Sequence, residues 1–108
     1  MKPVMVIACY RPKPGKEGAL VDLMKTHLPI LRAEGLVGDG PSLMGRAKDG
    51  TIVEVFQWKS QAAIDGAHTN EAVLAMWGEY AEVAGYVPIK DVAGAADLFT
   101  ALEPISAG

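Results

Sequence analysis

The chain has 108 residues, half of them hydrophobic, with a formal net charge of −3 and a single cysteine. That length suits one domain over residues 1–108 and leaves no room for a second. Acidic and basic residues are interspersed without a basic patch, which argues against nucleic acid and anionic membrane as partners. One cysteine excludes an internal disulfide and a cysteine-rich metal site.

The run Val4-Met5-Val6-Ile7-Ala8-Cys9-Tyr10 is continuously apolar and rich in β-branched residues, which predicts a strand buried on both faces. Val6-Ile7-Ala8-Cys9 has the look of a lipoprotein cleavage box, but only about six apolar residues lead up to it, against roughly 7–15 in a signal core. A buried strand is the better reading. No stretch approaches the ~20 apolar residues of a membrane span, and the expected location is the cytoplasm. Pro12, Pro14 and Gly15 end the strand.

From Lys16 the period changes: Leu20, Leu23, Met24, His27, Leu28 and Leu31 recur at three- and four-residue spacing and make one helical stripe. Glu17 and Asp22 lie early, Lys25 and Arg32 late, in keeping with the helix dipole, and Gly35 is a natural stop. Pro29 falls inside the pattern and predicts a kink or a loosened last turn.

A glycine-rich connection, 36–41, leads to a short strand at Leu43-Met44-Gly45-Arg46-Ala47. Asp49-Gly50 signals a tight hairpin, and Thr51 to Trp58 is the clearest strand in the chain. Val53 and Val55 share one of its faces; Ile52, Glu54, Phe56 and Trp58 share the other. Ser60 caps a helix running to about Ala67, and Thr69-Asn70 breaks and restarts it. The stripe Val73, Met76, Trp77, Tyr80, Val83 and Ala84 then continues to Tyr86-Val87-Pro88. One helical turn is expected before Gly94, a last strand over Leu98–Leu102, and a frayed tail at Ser106-Ala107-Gly108.

Strand, helix, strand, strand, helix, strand is the split βαβ order. It predicts an α+β, ferredoxin-like βαββαβ fold: a four-stranded antiparallel sheet with two helices on one face. Two helices cover one face only, yet the first and third strands look apolar on both. A homodimer that buries the second face resolves this, unless the last strand and tail fold over it.

The strand and helix Val53-Glu54-Val55-Phe56-Gln57-Trp58-Lys59-Ser60-Gln61-Ala62-Ala63, with His68 beyond, resemble antibiotic biosynthesis monooxygenase-like domains of the dimeric α/β-barrel superfamily. The opening Tyr10-Arg11-Pro12-Lys13-Pro14-Gly15-Lys16-Glu17 resembles that family's first strand and turn. The resemblance implies a dimer of ferredoxin-like subunits with a pocket between sheet and helices in each. Some members oxidise polycyclic phenols with molecular oxygen and no cofactor, some degrade haem, and many have no established activity. The chain departs from the haem-degrading pattern: its only asparagine, Asn70, is off the first strand, and Trp77 and Tyr80 stand where a histidine ligand would be wanted.

Candidate site residues follow from chemistry and position. His68, at the break between two helical pieces, is a candidate general base on a phenolic substrate, or else a histidine that closes the junction. His27, on the first helix's stripe, points towards a pocket or sits as a structural core histidine. Trp58, Trp77 and Tyr80 offer aromatic walls with polar tips, suited to a flat aromatic ligand as well as to plain core. Glu54, a carboxylate among apolar groups, needs a partner, and Arg46 on the neighbouring strand is the expected one. Cys9 reads as an inert core thiol. No phosphate loop, nucleophile elbow or metal-ligand cluster is present, and Gly38-Asp39-Gly40 lacks a dinucleotide fingerprint's strand-to-helix context.

Neither a metal nor a cofactor is therefore expected. The leading expectation is a cofactor-independent monooxygenase acting on a small phenol- or quinol-type aromatic. The same pocket also suits a non-catalytic domain that binds a small apolar ligand, and a closed pocket would suit an accessory protein that meets a partner through its dimer surface.

Overall fold

A computed structural model describes residues 2–106; of the expected frayed tail, Ala107 and Gly108 lie outside the described residues. The chain is α+β. Its elements run β1 (Val4–Pro12), α1 (Glu17–Ala33), β2 (Leu43–Arg46), β3 (Ile52–Trp58), α2 (Gln61–Ala67), α3 (Glu71–Val83), β4 (Ala84–Tyr86), a 3-10 turn (Ile89–Asp91) and β5 (Glu103–Ile105). One antiparallel sheet of five strands, not the expected four, has the order β4-β1-β3-β2-β5.

Local chemistry accounts for most boundaries. Gly50 turns the β2–β3 hairpin at φ +88, a left-handed conformation that favours glycine, while Ala47 N–H bonds Thr51 O at 2.8 Å. Ser60 Oγ accepts from Ala63 N and Asn70 Oδ1 from Val73 N, each at 3.1 Å, so both helix starts are capped as their residue types predict. Helix α1 ends on Gly35 at φ +73, where Leu36 N–H reaches back to Leu31 O. Pro29 neither stops nor shortens α1, which stays helical to Ala33; the residue faces solvent.

Two core clusters lie on opposite faces of the sheet. The larger joins Tyr10, Met44, Ile52, Phe56 and Trp58 to Leu20, Met24, Leu28 and Leu31 of α1 and to Val73, Met76 and Tyr80 of α3. The smaller, on the outer face, joins Cys9, Ala47 and Val53 to Val92, Ala95 and Leu102. The segment after β4 thus crosses the outer face at one end. At the other end Met5 (68% exposed), Ile7 (53%) and Leu43 (70%) stay bare, so the outer face of β1 is buried at Cys9 but not along the whole strand as expected.

The C-terminal part of the chain differs from the expected last strand over Leu98–Leu102. Residues 98–102 form no strand, and Leu98 and Phe99 are exposed. The strand beside β1 is Ala84–Tyr86, directly after α3, because Tyr10 pairs with Tyr86 and Pro12 with Ala84. A three-residue strand has too short a period to read from sequence. The final strand, β5, instead extends the opposite edge beside β2.

Leu102 seats the crossing segment on Gly45, where a Cβ would stand 2.7 Å from Leu102 Cβ and 3.4 Å from Glu103 O. Neither atom is the free end of a flexible chain, so the backbone must move to admit one. Gly45→Ala is expected to destabilise the fold by roughly 1–3 kcal/mol, by overpacking. Urea unfolding checks this; an unchanged midpoint would remove Gly45 as the seat of the crossing segment.

Candidate functional site

The site begins with a carboxylate that has no access to water. Alternation along β3 turns Glu54 to the helix side with Ile52, Phe56 and Trp58, and its side chain is fully buried. A buried carboxylate is tolerated only when hydrogen bonds replace its hydration. Two donors do so. Tyr10 Oη donates to Glu54 Oε1 at 2.9 Å, and His27 Nδ1 lies 2.9 Å from Oε1 and 3.1 Å from Oε2. Tyr10 reaches it because β1 pairs with β3 in the register Ala8↔Glu54, one same-face step away. His27 reaches it because the α1 stripe presses Met24, His27 and Leu28 onto the sheet.

Arg46 is not the partner that the sequence pointed to. It stands opposite Ile52, whereas Met44 stands opposite Glu54. From there its guanidinium bonds Glu17, at the start of α1, and Glu103 Oε1 at 2.6 Å, in β5. Arg46 is a clamp between three elements, away from the buried carboxylate.

Above the Tyr10–Glu54–His27 network lies a cavity of about 330 Å³. Val6, Ala8 and Tyr10 of β1, Phe56 and Trp58 of β3, His27, His68, Trp77 and Tyr86 line it. The walls are mostly aromatic: Phe56 sits edge-on to His27 at 5.0 Å and tilts against Trp58 at 5.6 Å. His68 lies exposed at the α2–α3 junction, with Nδ1 2.9 Å from Ile64 O and its ring edge-on to Trp77 at 5.4 Å.

Of the residues singled out from sequence, His27, His68, Trp58 and Trp77 meet at this one cavity. Tyr80 does not line it. It is buried behind the wall, stacked on Tyr10 at 5.4 Å, and its hydroxyl has no hydrogen-bond partner among the described residues. Tyr10 and Tyr86 were missed as site residues. The signal for Tyr10 was present: it is the one polar tip on the inward face of β1, two positions from the residue opposite Glu54. For Tyr86 no local signal existed, because β4 places it.

Cys9 lies on the other face of the sheet, where burial pushes its thiol up and leaves it a poor nucleophile. Among the described residues no group of three or more His, Cys, Asp or Glu could hold a metal ion, and no helix is long and apolar enough to cross a membrane.

The network gives a direct chemical reading. An ionised carboxylate only accepts, and Glu54 already accepts from Tyr10, so His27 Nδ1 carries the hydrogen of that bond. In the neutral imidazole this leaves Nε2 as the free lone pair, on a ring held by a carboxylate behind it. A neutral imidazole so held is chemically able to take a proton from a hydroxyl placed against Nε2.

Burial first, and the Glu54 charge second, push the Tyr10 and Tyr80 phenols far above their usual range, and Tyr86 is pushed up by the same two causes. Raised folded-state values mean stability that is complete below the unfolded tyrosine value of about 10 and falls as pH climbs beyond it. Alkaline titration should therefore show tyrosinate absorbance for Tyr10 and Tyr80 rising only as the far-ultraviolet dichroism collapses. All three tyrosines ionising near pH ~10 with the fold intact would contradict the buried network.

No protein-family model, curated protein or solved structure matches the chain.

Proposed function

We propose that this protein is a homodimeric, cofactor-independent monooxygenase of small, flat, electron-rich phenols, built on the ferredoxin-like plan and working in the cytoplasm. The observation that carries it is His27, held by Glu54, which Tyr10 also bonds, at the floor of an aromatic-lined cavity. His27 Nε2 removes the phenolic proton, and the electron-rich phenolate reduces molecular oxygen. One oxygen atom enters the ring and the other leaves as water, so a phenol and O2 give a quinone and water with every electron supplied by the substrate. General-base assistance of this kind contributes about 10²–10⁴ in rate. Trp58, Trp77 and Phe56 hold the ring plane, and His68 at the rim assists.

The resemblance of Val53–Ala63 with His68, and of Tyr10–Glu17, to antibiotic biosynthesis monooxygenase-like domains supports this reading. The run β4-β1-β3-β2 within the sheet supports the ferredoxin-like plan, with β5 as an added edge. A buried free thiol at Cys9 suits a reducing compartment. Met5, Ile7 and Leu43, bare on one sheet face, support the dimer: a second copy brings the same apolar patch, and a two-fold pairing buries both.

Oxygen uptake with a panel of phenols and quinols tests the chemistry. His27→Gln keeps a donor for Glu54 but supplies no base, and should lower turnover about 10²–10⁴-fold, with a smaller loss in His68→Ala. Ligand binding without oxygen uptake would make the cavity a non-catalytic binding site instead. Sedimentation tests the assembly separately. Wild type is expected as a dimer and Ile7→Lys as a monomer; a monomeric wild type would end the dimer proposal.

A further inference from the structure

Two histidines face one cavity, and the protein has made the same choice of nitrogen in both. Ile64 O can only accept, so His68 Nδ1, 2.9 Å away, carries the hydrogen. Glu54 imposes the same tautomer on His27. In the neutral ring of each, Nε2 is an acceptor left for whatever fills the cavity. His27 is buried at the floor on α1; His68 is exposed at the rim, between α2 and α3. Between them the wall is Val6, Ala8, Phe56, Trp58 and Trp77, whose only polar atoms are two indole N–H groups, and an indole donates without accepting. Tyr10 lends its hydroxyl to Glu54. The cavity thus has an acceptor at each end and an apolar, aromatic middle.

We infer that His68 determines specificity at this site, reading a second hydrogen-bond donor on the edge of the ligand opposite the hydroxyl that His27 takes. The preferred ligand is a fused aromatic with a hydroxyl at each end, rather than one with a single hydroxyl. The inference rests on the reading of the cavity as an aromatic-binding site. His27 receives the reacting hydroxyl, and His68 sets orientation and register. Tyr86, exposed and packed on Tyr10, carries the one other hydroxyl on the lining that is not engaged with Glu54 and is the rival to His68.

The test is anaerobic binding, which prevents turnover, followed by the fluorescence of Trp58 and Trp77, the only tryptophans in the chain and both in the cavity wall. The probes are a naphthalenediol with hydroxyls at opposite ends and the naphthol with one. One neutral hydrogen bond predicts that wild type prefers the diol by roughly two- to tenfold. His68→Phe, which keeps an aromatic ring at the rim, should bring the ratio of affinities to about one. His68→Gln, which keeps an acceptor, should retain part of it, and Tyr86→Phe should retain all of it. A wild type that binds both probes equally, or a preference that survives in His68→Phe or vanishes in Tyr86→Phe, overturns the role of His68 while leaving the aromatic site standing. Failure of both probes to bind overturns the aromatic site and this inference together.

Discussion

The structure is organised around one carboxylate that water cannot reach. Glu54 sits in the middle of the sheet with no exposed surface, and a charge in that position costs several kcal/mol unless donors replace its hydration. Satisfying it constrains much else. The β1–β3 register must bring Tyr10 alongside, and α1 must lie with His27 above. A slip of one residue would turn Glu54 to the outer face and every apolar partner with it. The network therefore acts as a register lock, and breaking one partner would leave the charge uncompensated.

The same network makes a reactive site out of a core. Carboxylate, phenol and imidazole form a chain in which Tyr10 and His27 both line the cavity, while the Tyr10 hydroxyl is spent on Glu54. Its ring is fixed by contacts on the protein side, and a low local dielectric strengthens those contacts. The Tyr80 hydroxyl, beneath Tyr10, has no hydrogen-bond partner among the described residues, and a buried hydroxyl left unpaired costs about 1–3 kcal/mol.

The two faces of the sheet are finished differently. Three helices close the inner face, and the cavity lies at its edge between β1, α1 and the α2–α3 junction. The outer face is only half covered, by a crossing segment seated through Leu102 on Gly45 and tied through Glu103 to Arg46. Arg46, by joining Glu17 and Glu103, links the start of α1 to β2 and to the edge strand β5.

What was legible in the sequence was local. Asp49-Gly50, Ser60, Asn70 and Gly35 act through backbone groups a few residues away, so turns and caps follow from residue type alone. The α1 and α3 stripes and the inward set Ile52, Glu54, Phe56 and Trp58 follow from periodicity. Sequence by itself therefore determined the main helices and strands and the need of Glu54 for a partner. It misplaced the edges: β4 exists because it pairs with β1, and Leu98 and Phe99 alternate like a strand yet lie in water. Only the tertiary structure decided the partners. His27 and Tyr10 lie 27 and 44 residues from Glu54, and Arg46, far nearer in the chain, is drawn off by Glu17 and Glu103. Backbone propensity and periodicity act over a few residues, whereas the burial that makes Glu54 need donors is created only when helix and sheet close over it.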